Sequence, residues 1–253
     1  MTKNLSQSKI GKPTVLVTGG ASGIGKDVVI DLCQAGWNVE TCTRASADAL
    51  QKTIDELRSK GGTVSGCLVD LTDPSAARQW VADCHTKHGA VDALIHCVGP
   101  FHRVPLEQAT DEDWRTMFES NLHTTFSLTQ AVSPIMKAQG QGRIITFGLA
   151  TPNPSFAHEN ITAYAIAKAG VAALTKTLAR SLAHAGVTAN CIHPGFIDTG
   201  SEDSKRFAHM ADAIPAGRLG TTQDILPVIR FLLSEESAYL TGADIPISGG
   251  WGM

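Results

Sequence analysis

Apolar segments of strand length alternate with amphipathic segments of helix length along most of the chain. The strand-like segments are 14–18, 38–43, 63–70, 91–99, 142–148, 187–195 and 243–250, and the helix-like segments are 24–36, 47–62, 73–89, 110–140, 161–186 and 221–234. Continuous apolar strands between amphipathic helices are typical of a parallel sheet with helices on both faces. The sequence therefore predicts an α/β fold, a doubly wound parallel sheet. Within segment 110–140, Pro134 is expected to kink or divide the helix.

The composition is that of a globular chain without a break between domains. No linker rich in proline, glycine or serine interrupts it, so we expect one domain over residues 1–253, with a flexible polar start at 1–12. A net charge of −3 favours neither a nucleic-acid nor an anionic-membrane partner. No apolar run reaches the roughly 18 residues that a membrane span needs. The expected location is the cytoplasm.

The cysteines and histidines show no metal-ligand spacing. The six cysteines include no CxxC pair, and the nine histidines are scattered. Several of the cysteines lie in apolar runs, as reduced core cysteines do. The sequence therefore predicts no metal site.

The turn after the first strand has the composition of a phosphate-binding loop. The segment TGGASGIGK at 18–26 follows an apolar strand and opens a helix. Gly19, Gly23 and Gly25 remove side chains where the backbone turns tightly and a ligand approaches, and free amides at the helix start face an anion. In this context the segment predicts a dinucleotide site in a Rossmann-type sheet, with Ser22 and Ile24 as further contacts.

The end of the second strand indicates which dinucleotide is bound. A carboxylate there would accept a hydrogen bond from the 2′-hydroxyl of NAD, but the strand ends in CTRAS and Glu40 lies three residues earlier, inside the strand. Arg44 carries the charge that pairs with a 2′-phosphate, and Ser22 and Ser46 offer hydroxyls. We therefore expect NADP(H) to be preferred over NAD(H). The alternative is that Arg44 is an ordinary solvated surface charge.

At this point the chain resembles the short-chain dehydrogenase/reductase family over nearly all of residues 14–252. The glycine turn fits the family's TGxxxGxG, and VDLTD at 69–73 fits the segment after its third strand. FESNLHTTF contains the family's helix asparagine, YAIAK its YxxxK pair, HPGFIDT its PGxxxT loop and ADIPISGG its closing strand. The local pattern is most similar to the 3-oxoacyl-carrier-protein-reductase-like branch.

The resemblance implies a role for each matched residue. Those implied to bind the cofactor are Asp70 and Leu71 at the adenine, Cys97 and Gly99 after the fourth strand, and Pro194, Gly195, Ile197 and Thr199 near the nicotinamide carboxamide. Lys168 would hold the nicotinamide ribose, and Asn121 would hold a water that links Lys168 to solvent. Tyr164, Lys168 and Asn121 are thus the implied catalytic group.

The YxxxK spacing agrees with acid–base chemistry. Residues i and i+4 share a helix face, so Tyr164 and Lys168 point the same way. A free tyrosine has a pKa near 10, and a neighbouring ammonium is expected to lower that pKa. Tyr164 would then exchange a proton with the substrate oxygen while hydride moves at the nicotinamide.

Two departures from the family pattern stand out. The family usually has NNAG after the fourth strand, where this chain has His96-Cys97-Val98-Gly99, and we interpret His96 as a structural replacement for the first asparagine. The family also places a serine at the end of the fifth strand, where it hydrogen-bonds the substrate oxygen. Counted from the strand, that position is Leu149, which has no hydroxyl.

A second count gives a different position for this group. Counted back from Tyr164 by the family's usual separation, the serine position falls on Thr151, so the loop carries a small insertion. Thr151, Ser155 and His158 are the candidates to replace the hydroxyl, and the alternative is that nothing does. One lost hydrogen bond to a developing oxyanion costs about 3 kcal/mol, so the loss would slow a reductase without abolishing its reaction.

Two functions follow from these residues. The first is an NADP(H)-dependent oxidoreductase that moves hydride between nicotinamide and a small carbonyl/alcohol or C=N substrate. The alternative is a catalytically impaired NADP(H)-binding sensor or scaffold, which the loss at Leu149 motivates and the intact Tyr164–Lys168 pair argues against.

The region 200–220 and two long helices suggest how substrate and subunits are held. Segment 200–220 is polar and bounded by glycines, as a substrate lid is, and Phe207, Met210 and Ile214 would close over an apolar substrate. The alternative is that this segment is a fixed surface helix. Arg103, Arg115, Lys205, Arg206 and Arg218 would form a basic entrance for an acidic carrier, and the alternative is that they are scattered solvated charges. The resemblance also implies a homotetramer or dimer packed through the two long helices.

Overall fold

The computed structural model describes residues 11–150, 158–200 and 207–252. Its central strands are β1 (Thr14–Thr18), β2 (Asn38–Thr43), β3 (Thr63–Leu68), β4 (Ala93–His96), β5 (Gly142–Phe147), β6 (Val187–Pro194) and, after two short strands, β9 (Asp244–Ile247). They form a seven-stranded parallel sheet in the order β3-β2-β1-β4-β5-β6-β9. The short strands β7 (Ile197–Asp198) and β8 (Gly220–Thr221) pair with each other. The predicted parallel α/β sheet is confirmed.

Seven helices accompany the sheet in the part of the chain that the structure describes. They are α1 (Gly23–Gln34), α2 (Ala47–Ser59), α3 (Pro74–His88), α4 (Asp111–Met117), α5 (Thr124–Gln139), α6 (Thr162–Leu182) and α7 (Thr222–Leu233). Among the described residues, no helix combines the length and the apolar character that crossing a membrane requires.

Alternate residues of β1 face two separate hydrophobic cores. Val15 and Val17 are fully buried among side chains of α1, α2 and α7, whereas Leu16 is buried on the other face among side chains of α3, α5 and α6. Side chains of a strand point alternately to the two faces of its sheet, so an apolar run without polar interruption is buried on both. This arrangement is the predicted double winding.

The strand order places a crevice between β1 and β4. The chain runs outward from β1 to β3 on one side and from β4 to β9 on the other, so the direction of winding reverses between them. In open α/β sheets, ligands bind beyond the carboxyl ends of the strands at this reversal. The segments that follow β1 and β4 therefore form the walls of the expected site.

The helical segment 110–140 is interrupted at a different place from the one predicted. Pro134 lies inside α5 and does not end it, whereas residues Phe118–His123 form a π-helical turn between α4 and α5. Turns of this kind insert one extra residue into a helix and are frequent at functional sites. The expectation that Pro134 divides the helix is wrong, and the interruption lies at Asn121.

Candidate active site

The glycine turn after β1 folds closely upon itself. Gly19 and Gly23 have positive φ angles of 77° and 56°, which other residues adopt only with strain. A Cβ atom on Gly25 would lie 2.4 Å from the carbonyl oxygen of Gly19, so only glycine fits the start of α1. Ser22, the N-cap residue of α1, is exposed, and Ile24 packs partly against the core. The turn thus brings the amino end of α1 to the crevice, as a phosphate site requires.

The opposite wall follows β4 and is tied to β1. The Thr18 hydroxyl accepts hydrogen bonds from the amides of Cys97 and Val98 at 3.0 and 3.1 Å. A Cβ atom on Gly19 would lie 3.3 Å from a methyl group of Val98, so the two segments nearly touch. Cys97 and Gly99, both predicted to line the cofactor, therefore lie across the crevice from the glycine turn.

His96 joins three elements beneath this crevice. Its Nδ1 lies 2.9 Å from the Thr18 hydroxyl of β1, and its Nε2 lies 3.1 Å from the Thr124 hydroxyl of α5. Burial and the Lys168 ammonium lower the pKa of His96 to about 3, so the ring is neutral and donates from one nitrogen only. The ring makes the kind of inter-strand tie that the sequence predicted for it.

The adenosine side of the crevice contains an exposed cation and no available carboxylate from β2. Arg44 is exposed just after β2, and its charge helps to lower the pKa of Asp70, whose main cause is hydrogen bonding from Thr72. Glu40 of β2 is 6% exposed and accepts hydrogen bonds from Lys87, His88 and Ser65. It is therefore committed to a buried network. The side chain of Leu71 packs into the core, and its contact with adenine stays a prediction.

Tyr164 and Lys168 share one face of α6, as their spacing predicts. The Lys168 ammonium lies 5.6 Å from the centroid of the Tyr164 ring and donates to the Phe147 carbonyl at 2.9 Å. Burial lowers the pKa of Lys168 to about 8 and raises the pKa of Tyr164 to about 12. The expectation of a lowered pKa for Tyr164 is wrong for this structure, because burial disfavours the charged phenolate and raises this pKa. Tyr164 is a protonated phenol at neutral pH.

Asn121 lies in the π-helical turn, and its side-chain amide lies close to the Lys168 ammonium. Its side-chain nitrogen donates to the carbonyls of Pro100 and Met117 at 3.2 and 3.1 Å. Its side-chain oxygen is fully buried and accepts no hydrogen bond from the residues described. A Cβ atom on Gly99 would lie 2.6 Å from this oxygen and 2.7 Å from the Lys168 ammonium. Gly99 therefore leaves space where two polar groups converge.

The PGxxxT loop lies opposite the glycine turn. The Gly195 amide, which follows Pro194, donates to the Ile247 carbonyl at 3.0 Å, and a Cβ atom on Gly195 would lie 2.8 Å from the α-carbon of Ser248. Further along, the Thr199 side chain lies 3.9 Å from the point where a Cβ on Gly23 would be. Ile197 is half-buried in the loop between them. The loop thus reaches from the end of β6 to the glycine turn at the start of α1.

Leu149, the serine position given by the count from β5, contacts its neighbour through its backbone carbonyl. Leu149 follows β5, and its carbonyl lies 2.9 Å from Nδ1 of His193. The candidates Thr151 and Ser155 lie outside the described residues. His158 lies before α6, where its carbonyl accepts a hydrogen bond from the Thr162 hydroxyl at 2.7 Å. Which group replaces the missing hydroxyl stays open among these candidates and none.

His193 connects this strand end to the edge of the sheet. Its Nε2 lies 3.0 Å from Oδ1 of Asp244 on β9, and Asp244 also pairs with Lys176 of α6. Burial opposes the charged ring, but the Cys191 sulfur, the Leu149 carbonyl and the Asp244 carboxylate outweigh it and raise the pKa of His193 to about 9. Both ring nitrogens then donate, which satisfies both neighbours.

The same side chains include atoms of the types that bind metals. One possible ligand atom each of Cys191, His193 and Asp244 lies within 4.8 Å of the others. The pairing of Asp244 with Lys176 and the contact of His193 with Leu149 account for this arrangement as an ion-pair network. The sequence-based expectation of no metal site stays a prediction.

Sequence reasoning missed several side chains near Tyr164. Phe196, in the PGxxxT loop, contacts both Trp251, after β9, and the predicted lid residue Phe207, and Phe207 continues this aromatic group to Phe101 and Tyr164. The rest of the predicted lid is a 3₁₀ segment over Ala208–Ala213, while residues 201–206 lie outside the described part. No sequence pattern joins the four segments, because each follows a different strand or loop. The pairing of His193 with Asp244 was missed for the same reason.

The chain is similar to known proteins over nearly its full length. A family model described as "Enoyl-(Acyl carrier protein) reductase" matches residues 19–252. The 3-oxoacyl-(acyl-carrier-protein) reductase FabG of Escherichia coli K12 is 35% identical over 242 residues, which are 94% of this chain and 96% of the relative. The protein of the same name from Staphylococcus epidermidis RP62A is 32% identical over 248 residues, with 95% and 99% covered.

Solved structures of other proteins superpose on this chain over nearly its full length. A blue fluorescent protein from a metagenomic library, crystallised in complex with NADPH, superposes with a TM-score of 0.88 at 30% identity and covers 95% of this chain and 98% of its own. A single-residue variant of actinorhodin polyketide ketoreductase with NADPH gives a TM-score of 0.87 at 26% identity, with 95% and 97% covered. With the glycine turn, the Tyr164–Lys168 pair and the parallel sheet, these matches show that the chain belongs to the short-chain dehydrogenase/reductase family of oxidoreductases, in the branch similar to FabG.

Proposed function

We propose that this protein is an NADP(H)-dependent reductase or dehydrogenase of small carbonyl/alcohol or C=N substrates, with Tyr164 as the acid and base. The observation that carries the proposal is the convergence of Tyr164, Lys168 and Asn121 beside Gly99, at the strand ends next to the reversal of the sheet. A pure cofactor binder has no need of a half-buried phenol beside a buried ammonium and a buried amide.

The residues present fit a dinucleotide. The side-chain oxygen of Asn121 is buried without a donor among the described residues, and Gly99 leaves room beside it and Lys168. Gly19 to Gly25 would hold the pyrophosphate at the amino end of α1. Arg44 would hold a 2′-phosphate, which favours NADP(H), because Glu40 is committed to its own network. The NADPH complexes of two structural relatives support the same cofactor.

The chain's own groups would manage the proton. When bound, the nicotinamide supplies the hydride in reduction and accepts it in oxidation. Because its pKa is raised to about 12, Tyr164 keeps its proton at neutral pH and donates it to the substrate oxygen. The Lys168 ammonium stabilises the resulting phenolate, and Asn121 accepts hydrogen bonds in the relay that returns a proton. Leu149 offers the substrate no hydroxyl, so a second hydrogen bond to the substrate oxygen depends on Thr151, Ser155 or His158, the candidates to replace it.

Oxidation of NADPH, followed at its nicotinamide absorbance, tests the function. The substrates are ketones, 3-ketoacyl thioesters, quinones, pterins and cyclic imines, with NADH in parallel. We expect turnover on at least one class, faster with NADPH, and a loss of about 100-fold or more in Tyr164→Phe with NADPH affinity retained. The matched control is Tyr239→Phe, since Tyr239 is the chain's other tyrosine and is fully exposed. Full turnover in Tyr164→Phe would refute the assignment. Tight NADPH binding without turnover on any class would favour the sensor or scaffold.

The location and assembly belong to the same proposal. All six cysteines are unpaired, which suits the reducing cytoplasm. Trp114, Phe126 and Ile166 on α4, α5 and α6 are each more than 40% exposed. Exposed apolar side chains on neighbouring helices are typical of contacts between subunits, so a homotetramer or dimer through these helices is proposed.

A further inference from the structure

Five aromatic rings, each in contact with the next, form a row beside the candidate active site. The ring of Phe101 meets Tyr164 edge-on with centroids 5.1 Å apart, and on its other side it meets Phe207 at 6.1 Å. Phe207 contacts Phe196 at 5.2 Å, and Phe196 contacts Trp251 at 4.8 Å. The four rings beyond Tyr164 come from four separate segments, and we call them the aromatic group.

The aromatic group is held in place from the far side. The Ala216 amide donates to the Gly249 carbonyl at 2.9 Å, and the Trp251 amide donates to the Ser248 carbonyl at 3.1 Å. The first bond ties the turn after β9 to the segment that follows Phe207, and the second lies within that turn. Trp251 is therefore positioned by the backbone and does not depend on the contact with Phe196 alone.

One member of the aromatic group is exposed beside the catalytic phenol. Phe101 is 48% exposed, although a phenylalanine gains about 1.5–3 kcal/mol when fully buried. Exposed apolar surface next to a reacting group marks the place where a ligand is bound. Since Leu149, at the family's serine position, has an aliphatic side chain, a second apolar residue follows β5 on the same edge of the sheet.

Two of the three described cations predicted to form a basic entrance are already paired. Arg115 pairs with Glu112 at 2.9 Å and Arg218 pairs with Asp224 at 2.8 Å, whereas Arg103 is exposed without an ion pair to any described residue. Paired cations attract an acidic carrier or a carboxylate substrate weakly, because their charge is already balanced. Lys205 and Arg206 lie outside the described residues.

We propose that the substrate is a neutral aryl ketone, whose ring packs against the aromatic group while its carbonyl oxygen meets Tyr164; this inference rests on the proposed function. Aromatic rings prefer edge-to-face contacts with centroids about 4.5–7 Å apart, and a planar ring beside Tyr164 can make such contacts with Phe101 and Phe207, while Phe196 and Trp251 extend the aromatic surface behind them. In reduction, hydride from NADPH forms the new C–H bond, the C=O π pair moves to oxygen, and the Tyr164 proton forms the O–H bond. The products are the aryl alcohol and NADP⁺.

Matched ketones test the ring preference. Acetophenone and cyclohexyl methyl ketone have the same carbon skeleton and differ in the aromaticity of the ring, and acetoacetyl thioester stands for the acyl-carrier substrates. Conjugation makes acetophenone intrinsically less reactive toward hydride, so a preference for it reports binding. We expect kcat/KM to be about tenfold or more higher for acetophenone. We expect this ratio to fall toward one in Trp251→Leu and Phe207→Leu and to stay unchanged in Phe231→Leu, an exposed phenylalanine on α7.

A binding measurement separates failure of this inference from failure of the proposed function. Quenching of Trp251 fluorescence, taken as the difference between the natural chain and Trp251→Phe, reports the binding of 1-phenylethanol and 1-cyclohexylethanol. If the enzyme turns over the saturated ketone or the thioester as well as acetophenone, the inference is overturned and the function stands. If no ketone reacts but 1-phenylethanol binds at least about fivefold more tightly than 1-cyclohexylethanol, the aromatic site stands and the function fails. Equal binding without turnover overturns both.

Discussion

The ammonium of Lys168 and the amide oxygen of Asn121 approach one point, the place that a Cβ atom on residue 99 would occupy. The two groups come from α6 and from the π-helical turn, and they lie 2.7 and 2.6 Å from that point. We therefore propose that a glycine at position 99 serves the chemistry as well as the path of the backbone. Replacing Gly99 tests whether the positions of Lys168 and Asn121 matter for the reaction.

We expect Gly99→Ala to lower kcat by about 100-fold while the chain stays folded. The added methyl group meets the far ends of the Asn121 and Lys168 side chains, which can move. The substitution therefore displaces these two groups and leaves the packing of the core unchanged. Steady-state kinetics and thermal unfolding measure the two effects. Gly61→Ala is the control: its methyl group would meet open space far from the site, and its positive φ of 81° is expected to lower the thermal stability but not kcat. Near-normal activity in Gly99→Ala would contradict the assignment of this point to the proton relay.

Arg44→Ala is expected to weaken NADPH binding by about tenfold or more and to leave NADH binding unchanged. A charged hydrogen bond to a phosphate contributes about 1.5–3 kcal/mol, and only NADPH carries the 2′-phosphate. Titration of both cofactors by fluorescence gives the two affinities. Lys52→Ala removes an exposed cation on the neighbouring helix α2 as a control. An equal loss for both cofactors would show that Arg44 does not read the phosphate.

The elements built from local pattern could be predicted from the sequence. The bounds of β1 and β2 match the predicted segments, because each is an apolar run between turn residues. At α3, Asp73 accepts a hydrogen bond from the Ser75 amide at 2.8 Å and Gly89 ends the helix with a φ of 73°, as the Asp-Pro start and the glycine stop predict.

The features that depend on distant contacts could not be predicted. The π-helical turn at Asn121 keeps ordinary helix-forming residues, and the bond from Asn121 to the Pro100 carbonyl is visible only in the fold. The raised pKa of Tyr164 follows from burial by several segments, which the YxxxK spacing does not report. His193 meets Asp244 because β6 and β9 are neighbours, although the two residues lie 51 positions apart in sequence.

NADPH binding is expected to weaken as pH rises through about 8. Burial lowers the pKa of Lys168 to about 8, so its ammonium is lost above that pH and its hydrogen bonds to the ribose become weaker. We expect the dissociation constant to rise about three- to tenfold between roughly pH 7 and 9.5. The slope should vanish in Lys168→Met and persist in Lys176→Met, which alters an ion-paired lysine of the same helix. A slope that survives in Lys168→Met would assign the titration to another group.

Phe126→Arg is expected to reduce the molar mass in solution to that of one chain. Phe126 lies on α5 and is 46% exposed, so a charge there would be buried without a partner in any assembly through this helix. Light scattering after size-exclusion chromatography measures the mass. Phe231→Arg places the same charge on α7 and should leave the assembly intact. An unchanged mass in Phe126→Arg would place the subunit contact elsewhere.

The contacts of His193 with the Cys191 sulfur, the Leu149 carbonyl and the Asp244 carboxylate make the stability of the fold depend on pH. The pKa of His193 is raised from 6.5 to about 9, so the folded chain binds this proton more tightly than the unfolded chain does. The resulting stabilisation is fully present below pH 6.5 and is lost as pH rises to about 9. Because Asp244 is 39% exposed, the contribution is on the order of 1–2 kcal/mol and less than the full shift implies.

Urea unfolding of His193→Gln at two pH values measures this contribution. At about pH 6 the variant should be about 1–2 kcal/mol less stable than the natural chain, and at about pH 10 the difference should shrink to a few tenths, because the natural ring is then neutral. His184→Gln, an exposed histidine after α6, controls for the loss of an imidazole. A difference of the same size at both pH values would mean that His193 contributes by packing and by its bond to Leu149, and not by its charge.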